Sequence, residues 1–145
     1  MKLALASDHG GYALKEAIKK YINENYYEIE ILDLGTDSEE SVDYPEYGKK
    51  AGEAVASGEV SRAVICCGTG IGISIAANKV KGVRCALCTS THMAEMTRKH
   101  NDANILALGG RTTSEEDAFE IVKVWLETEF EGGRHQRRVD MLDNM

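Results

Sequence analysis

Short apolar runs alternate with amphipathic stretches along most of the chain. Five runs, KLALAS (2–7), EIEILDL (28–34), RAVICC (62–67), VRCALC (83–88) and NILALG (104–109), are bounded by Gly, Asp or Ser and read as strands. Between them apolar side chains recur at helical spacing: Leu14, Ile18, Tyr21 and Ile22 make one stripe, and Ala118, Ile121, Val122, Trp125 and Leu126 another. The pattern predicts helices over roughly 11–25, 45–57, 71–80, 91–100 and 114–129. Five strand-then-helix units call for a parallel sheet covered on both faces, since each parallel connection must cross over the sheet and does so right-handed. The expected class is α/β, three-layered. After the last helix, EGGRHQRRVDMLDNM (131–145) carries a glycine pair and a basic cluster and reads as a C-terminal arm.

This topology also says where a ligand should sit. In doubly wound sheets of order 2-1-3-4-5 the pocket lies beyond the carboxyl ends of strands 1 and 3. Strand 1 runs into SDHGG (7–11) and strand 3 into CCGTGIG (66–72), so the two least ordinary loops are the two that the fold would bring together.

Size and charge narrow the partners. The 145 residues match one domain, 1–145, able to bury a core without staples. Its 24 acidic against 17 basic residues give a net charge of −7, which opposes non-specific binding to nucleic acid or an anionic membrane and points to a small-molecule partner. No apolar stretch approaches the about 18 residues of a membrane span. MKLALASDHGG is too short in apolar residues for a secretory signal. With four cysteines at 66, 67, 85 and 88, the chain reads as cytoplasmic and reduced.

The glycine run carries the chemistry. A glycine-rich turn entering a helix aims backbone N–H groups at one spot and adds the helix's positive end, which suits a phosphate or a developing oxyanion. GTGIGIS lacks the lysine of a P-loop, and the strand after it, VRCALCT, lacks the acidic residue of a dinucleotide site. A close strand–helix approach would also use glycine, but three glycines, Gly68, Gly70 and Gly72, with Thr69 among them favour a site. Beside that helix N-terminus a Cys67 thiolate is stabilised and can act as base or nucleophile. Cys66 points to the opposite face of the strand and reads as core. Cys85 and Cys88 spell C-x-x-C, but a strand puts them on opposite faces with no second pair to complete a zinc set, so both read as packing.

Other polar clusters point to an anionic substrate. Asp8 and His9 stand at the mouth of strand 1, where Asp8 also suits a helix cap. RKHNDANI ends the fourth helix with His100, Asn101 and Asp102, which equally suits a helix C-terminus. In GGRHQRRV, Arg134, Arg137 and Arg138 accompany His135; Arg134 and Arg138 share one face if a helix begins there and would clamp a phosphate monoester.

The strings SDHGG, DYPEYG, CCGTGIGISIAANKV, RKHNDANILALGGR and EGGRHQRRV together resemble the type B ribose-5-phosphate isomerases, of the family that also holds galactose-6-phosphate isomerase subunits. The similarity runs over almost the whole chain. It implies a Rossmann-like α/β/α fold, a homodimer with a tetramer left open, and interconversion of ribose 5-phosphate and ribulose 5-phosphate without metal or organic cofactor. One branch uses a cysteine at the position of Cys67 as carbon base; another uses a glutamate where this chain has Ile73, so the chain is similar to the cysteine branch. By the same resemblance Thr69 moves a proton between the two oxygens, His100 with Asp8 opens the furanose ring, and Asn101 steadies the enediolate. The amides over Gly68, Gly70, Ile71 and Gly72 form the oxyanion pocket, His9, Arg111, Arg134 and Arg138 match phosphate or hydroxyl contacts, and Tyr44 lines the sugar site. Isomerisation needs a base beside such a pocket, which gives Cys67 and the glycines one shared reason. Because His100 follows the fourth helix, it belongs to the opposite edge of the sheet from Cys67, and a shared site between two subunits is expected. Two rival readings remain: an isomerase of a six-carbon sugar phosphate (galactose 6-phosphate or allose 6-phosphate) with the same chemistry, and a non-catalytic nucleotide-binding module that gives Cys67 no role.

Overall fold

A computed structural model describes residues 1–145. In chain order the elements are β1 (Lys2–Ser7), α1 (Tyr12–Asn25), β2 (Glu30–Asp33), α2 (Tyr44–Ala56), β3 (Arg62–Cys67), α3 (Ile71–Asn78), β4 (Cys85–Leu87), α4 (Thr91–Asn101), β5 (Ile105–Gly109), α5 (Glu115–Glu127) and α6 (Arg134–Asp143). Every strand pairing is parallel. The order across the sheet is β2-β1-β3-β5-β4, so the last two strands exchange the places expected for them. Burial explains the exchange. All of β5 is buried, as a strand covered on both faces and flanked on both sides must be, whereas β4 has only three residues, all half-buried, which suits an edge. As a result the carboxyl ends of β1, β3 and β5 stand side by side.

The two faces of the sheet are built differently. Leu3, Leu5, Val64, Cys66, Leu106 and Leu108 face α1, α4 and α5, which add Leu14, Ile18, Ile22, Ala94, Ile121 and Trp125. The alternate residues Ala4, Ala6, Ala63, Ile65, Cys67, Ile105 and Ala107 face α2 and α3. Glycines on α2 let it lie close against α3: a Cβ on Gly48 would come within 2.8 Å of the Ala76 Cβ, and one on Gly52 within 2.8 Å of Val80 Cγ2. Each fully buried aliphatic side chain contributes about 1.5–3 kcal/mol of transfer free energy. Ser90 and Ser114 cap α4 and α5, accepting from the Met93 and Asp117 amides at 3.2 and 3.1 Å. No helix is long and apolar enough to cross a membrane.

The C-terminal arm is not a detached segment. It forms α6, whose buried His135 and Val139 turn inward and which packs on α4. Arg84 at the foot of β4 reaches Asp143 at 2.6 Å.

Lys15 interrupts the apolar stripe of α1 and is buried there, 1% exposed, with Nζ 2.9 and 2.8 Å from the two Asp33 carboxylate oxygens. Asp33 also accepts from Lys19 at 2.9 Å and from the Gly35 amide at 2.9 Å, tying α1 to the end of β2. Partial burial pushes the Asp33 carboxyl up, but the hydrogen bonds from Lys15, Lys19 and Gly35 win and hold it below the ordinary carboxylate range. A carboxyl depressed in the folded state stabilises the fold above its unfolded pKa, and that stability fades as pH falls through the folded value. Lys15 Nζ also meets Glu16 Oε2 at 2.9 Å, so replacing Asp33 by Asn leaves the buried ammonium with Glu16 as its one remaining carboxylate, a loss of about 1–3 kcal/mol at neutral pH. Urea unfolding should show this gap between wild type and Asp33→Asn at pH 7, and the gap should close as the medium is acidified below the carboxylate range.

Candidate active site

Strand alternation separates the two adjacent thiols. Cys66 enters the leucine-rich core and Cys67 the alanine-rich one. Burial pushes the Cys66 and Cys85 thiols far up and the Cys88 thiol up to about 11, so these three act as apolar packing groups, as expected from their placement. Cys67 is different in its partner. Its Sγ accepts a hydrogen bond from the Gly70 amide at 3.2 Å. Gly70 caps α3 with φ 80°, a left-handed turn that aims this N–H back at the sulfur. A Cβ there would also lie 2.6 Å from Leu87 Cδ1 and 2.8 Å from the Leu108 carbonyl carbon. Thr69 and Ile71 are exposed above the turn, and Thr69 Oγ1 accepts from the Ile71 amide at 3.3 Å.

Loops from the neighbouring strands close around this turn. Asp8 is buried at the end of β1; its amide donates to the Cys66 carbonyl at 3.3 Å and its Oδ1 accepts from the Gly11 amide at 3.1 Å. His9 Nδ1 accepts from the Val42 amide at 3.2 Å, which leaves the ring proton on Nε2. After β5, the Gly110 amide donates to the Cys67 carbonyl at 2.8 Å and the Arg111 amide to the Gly68 carbonyl at 2.9 Å. The Arg111 guanidinium then passes over Gly68, where a Cβ would meet its Nη1 at 3.2 Å. Tyr44, at the start of α2, lays its ring edge against Gly72, whose Cβ would lie 2.6 Å from Tyr44 Cε1. Asp8, His9, Tyr44, Cys67, Gly68, Thr69, Gly70, Ile71, Gly72 and Arg111 therefore gather at the carboxyl edge. The arrangement offers a thiol, convergent amides at a helix N-terminus and a cation, which is the equipment for a small oxyanion.

His100, Asn101, Arg134 and Arg138 form a second group elsewhere. Helix α4 runs back from the carboxyl end of β4 to the amino edge, where β5 begins. A strand of five or six residues spans about 17–20 Å, so the two groups stand apart within one chain. The His100 ring stacks on His135 with centroids 4.2 Å apart and planes 13° from parallel. Glu131 Oε1 lies 3.6 Å from His100 Nε2 and 3.4 Å from His135 Nε2. Burial, His100 and Arg134 together hold the His135 imidazole below its ordinary pKa. Arg134 and Arg138 are exposed on α6, four residues apart. Asn101 borders a cavity of about 470 Å³ shared with Arg84, Thr97 and Leu142. That cavity contains no residue of the thiol loop, so its volume does not mark the chemistry. Glu131, at i,i+4 spacing from His135, and Lys15, within the apolar stripe of α1, are charged groups that the sequence pattern does not single out.

Residues 3–142 match the model of the ribose/galactose isomerase family. The chain is similar to ribose-5-phosphate isomerase B of Escherichia coli (strain K12), 45% identical over 141 residues that cover 97% of this chain and 93% of the relative. Its fold is similar to the structure of Clostridium thermocellum ribose-5-phosphate isomerase B, with a TM-score of 0.96 and 53% identity over 99% of this chain and 96% of that one. It is likewise similar to ribose-5-phosphate isomerase B of Mycoplasma genitalium, solved with bound ribulose-5-phosphate, with a TM-score of 0.92 and 36% identity over 99% of this chain and 94% of that one.

Proposed function

The chain belongs to the ribose/galactose isomerase family, that of the type B ribose-5-phosphate isomerases, and on that premise we propose that it interconverts ribose 5-phosphate and ribulose 5-phosphate, with Cys67 as carbon base and each active site built from both subunits of a homodimer. The observation that carries this reading is the Gly70 N–H directed at Cys67 Sγ at 3.2 Å, inside a loop where the Ile71 amide is held by Thr69 Oγ1 and the Gly68, Thr69 and Gly72 amides are left for a substrate oxygen. An N–H aimed at the sulfur complements negative charge there. The ribulose-5-phosphate held by the Mycoplasma genitalium relative supports a five-carbon substrate.

In this scheme Cys67 removes the proton from C2 of the open-chain aldose. The electrons of the C–H bond become the C=C of an enediolate, whose oxygen charge is met by the amides of residues 68–72. Thr69 passes the hydroxyl proton between O1 and O2, and the thiol returns its proton to C1 to complete the ketose. Asp8 with His100 opens the furanose ring, and Asn101 steadies the enediolate. His9 and Arg111 hold one end of the sugar phosphate, Arg134 and Arg138 the other, and Tyr44 flanks the chain. His100, Asn101, Arg134 and Arg138 come from the partner subunit, because they occupy the opposite sheet edge of their own chain. A two-fold dimer exchanges these groups symmetrically and yields two identical composite sites.

Cys67→Ala should abolish both turnover of ribose 5-phosphate and exchange of its C2 proton with deuterated solvent, whereas Cys66→Ala should lose mainly stability; near-normal exchange in Cys67→Ala would remove the thiol from the mechanism. Arg138→Ala should raise KM for ribose 5-phosphate about ten- to a hundredfold, the loss of a charge-assisted contact worth roughly 1.5–3 kcal/mol, and an unchanged KM would take the arm out of phosphate binding. Mixing inactive Cys67→Ala with inactive His100→Ala protein, under conditions that exchange subunits, should restore activity, because one site of each mixed dimer inherits both defects and the other neither. Demonstrated exchange without recovery would place both residues in one chain's site.

A further inference from the structure

We propose that His100, Glu131 and His135 form a binding site for one divalent transition-metal ion, and that an ion held there silences the enzyme by occupying His100. The three donors come from the end of α4, the loop before α6 and the first turn of α6. Their backbones are already joined: the Glu131 amide donates to the Lys99 carbonyl at 3.2 Å and the His135 amide to the Gly132 carbonyl at 3.0 Å. The rings stack at 4.2 Å and 13° from parallel beside the carboxylate, so sharing one ion requires the exposed His100 ring to swing out of the stack until both in-plane Nε2 lone pairs converge.

The spacing of the donor atoms favours an ion over direct hydrogen bonds. The separations of 3.6 and 3.4 Å from Glu131 Oε1 to the two Nε2 atoms are long for an N–H···O bond. The 3.4 Å separation matches the about 3.3–3.4 Å between two ligand atoms that each sit about 2.0–2.1 Å from a tetrahedral ion, and the 3.6 Å one exceeds it slightly. The three donor atoms all lie within 4.8 Å of one another. The remaining closure falls to side chains that can move, His100 at 42% and Glu131 at 50% exposed, while His135 at 9% is the anchor. Two imidazoles and one carboxylate with a fourth position open to water suit Zn²⁺, Co²⁺ or Ni²⁺ rather than Mg²⁺ or Ca²⁺. Arg134, Arg138 and Lys99 oppose a cation here, but the two arginines are exposed and screened, and Lys99 pairs with Glu95 at 3.0 Å.

The silencing half rests on the isomerase reading. Ring opening requires His100 to take a proton from one sugar oxygen and give one to another. An imidazole whose Nε2 lone pair is on a metal, with its proton on Nδ1, can no longer accept.

Full-length, metal-free protein should be titrated with Co²⁺ and followed by its visible d–d absorption. The expected result is one equivalent per chain, no thiolate-to-cobalt charge-transfer band, and binding weakened at least about tenfold in His135→Ala and in Glu131→Gln, since even residues behind the ligands cost 10–100-fold. Glu131→Gln, on an exposed loop side chain, keeps the test valid if His135→Ala misfolds. Zn²⁺ should inhibit ribose 5-phosphate isomerisation by the wild type, EDTA should reverse it, and Glu131→Gln should shift the inhibitory concentration upward by the same factor as its Co²⁺ binding. Unchanged Co²⁺ binding in Glu131→Gln, or a thiolate band, overturns the site. Full activity with the Co²⁺ site saturated overturns the silencing. A metal-free protein that binds Co²⁺ as described but never isomerises ribose 5-phosphate refutes the isomerase reading, while supporting the coordination.

Discussion

The carbonyl of Cys66 occupies the space that a Cβ on Gly11 would need, and the carbonyl of Gly10 lies 2.6 Å from where a Cβ on Gly110 would stand. Three strand ends therefore meet backbone against backbone. Side chains at these glycines would part the loops, and with them the amides that Gly110 and Arg111 donate to the carbonyls of Cys67 and Gly68 at 2.8 and 2.9 Å. The loop that presents the thiol is held in place from below by this contact rather than by its own residues. It depends on β5 lying beside β3, and so on the exchange of the last two strands across the sheet.

Alternation along β3 then decides which cysteine is available. One register step separates Cys66, in a leucine-rich core where burial suppresses ionisation, from Cys67, which receives the Gly70 amide. Gly48 and Gly52 allow α2 to approach α3 closely, and the Tyr44 ring at the start of α2 lies on Gly72. Packing density on one face of the sheet is thus connected to the shape of the site at its end. The buried Lys15 under the first loop serves the same edge, since its pairing with Asp33 fixes where α1 and β2 stand.

Parallel topology also divides the chemistry. Every strand ends at one edge and every returning helix ends at the other, so residues at strand ends and at the end of α4 cannot share a pocket within one chain. Helix α6 strengthens the second edge by stacking His135 on His100 and pairing Asp143 with Arg84. In the proposed mechanism it is a two-fold partner that would combine the two sets of groups.

The sequence alone determined the alternation of five strands with helices, the parallel sheet, the opposed faces of Cys66 and Cys67 and the joining of SDHGG to CCGTGIG, because each follows from local periodicity and from the geometry of crossover connections. It also placed His100 on the far edge. Tertiary structure decided the order of the last two strands, where burial of Ile105 to Leu108 on both faces outweighed chain order. It decided as well that the basic tail folds onto α4, and that Glu131, unremarkable in the sequence, stands between two histidines. Lys15 stayed hidden for the same reason: a lysine within an apolar stripe can be buried only where a carboxylate from another element meets it, and that meeting of Lys15 with Asp33 is set by packing between α1 and β2, not by spacing along the chain.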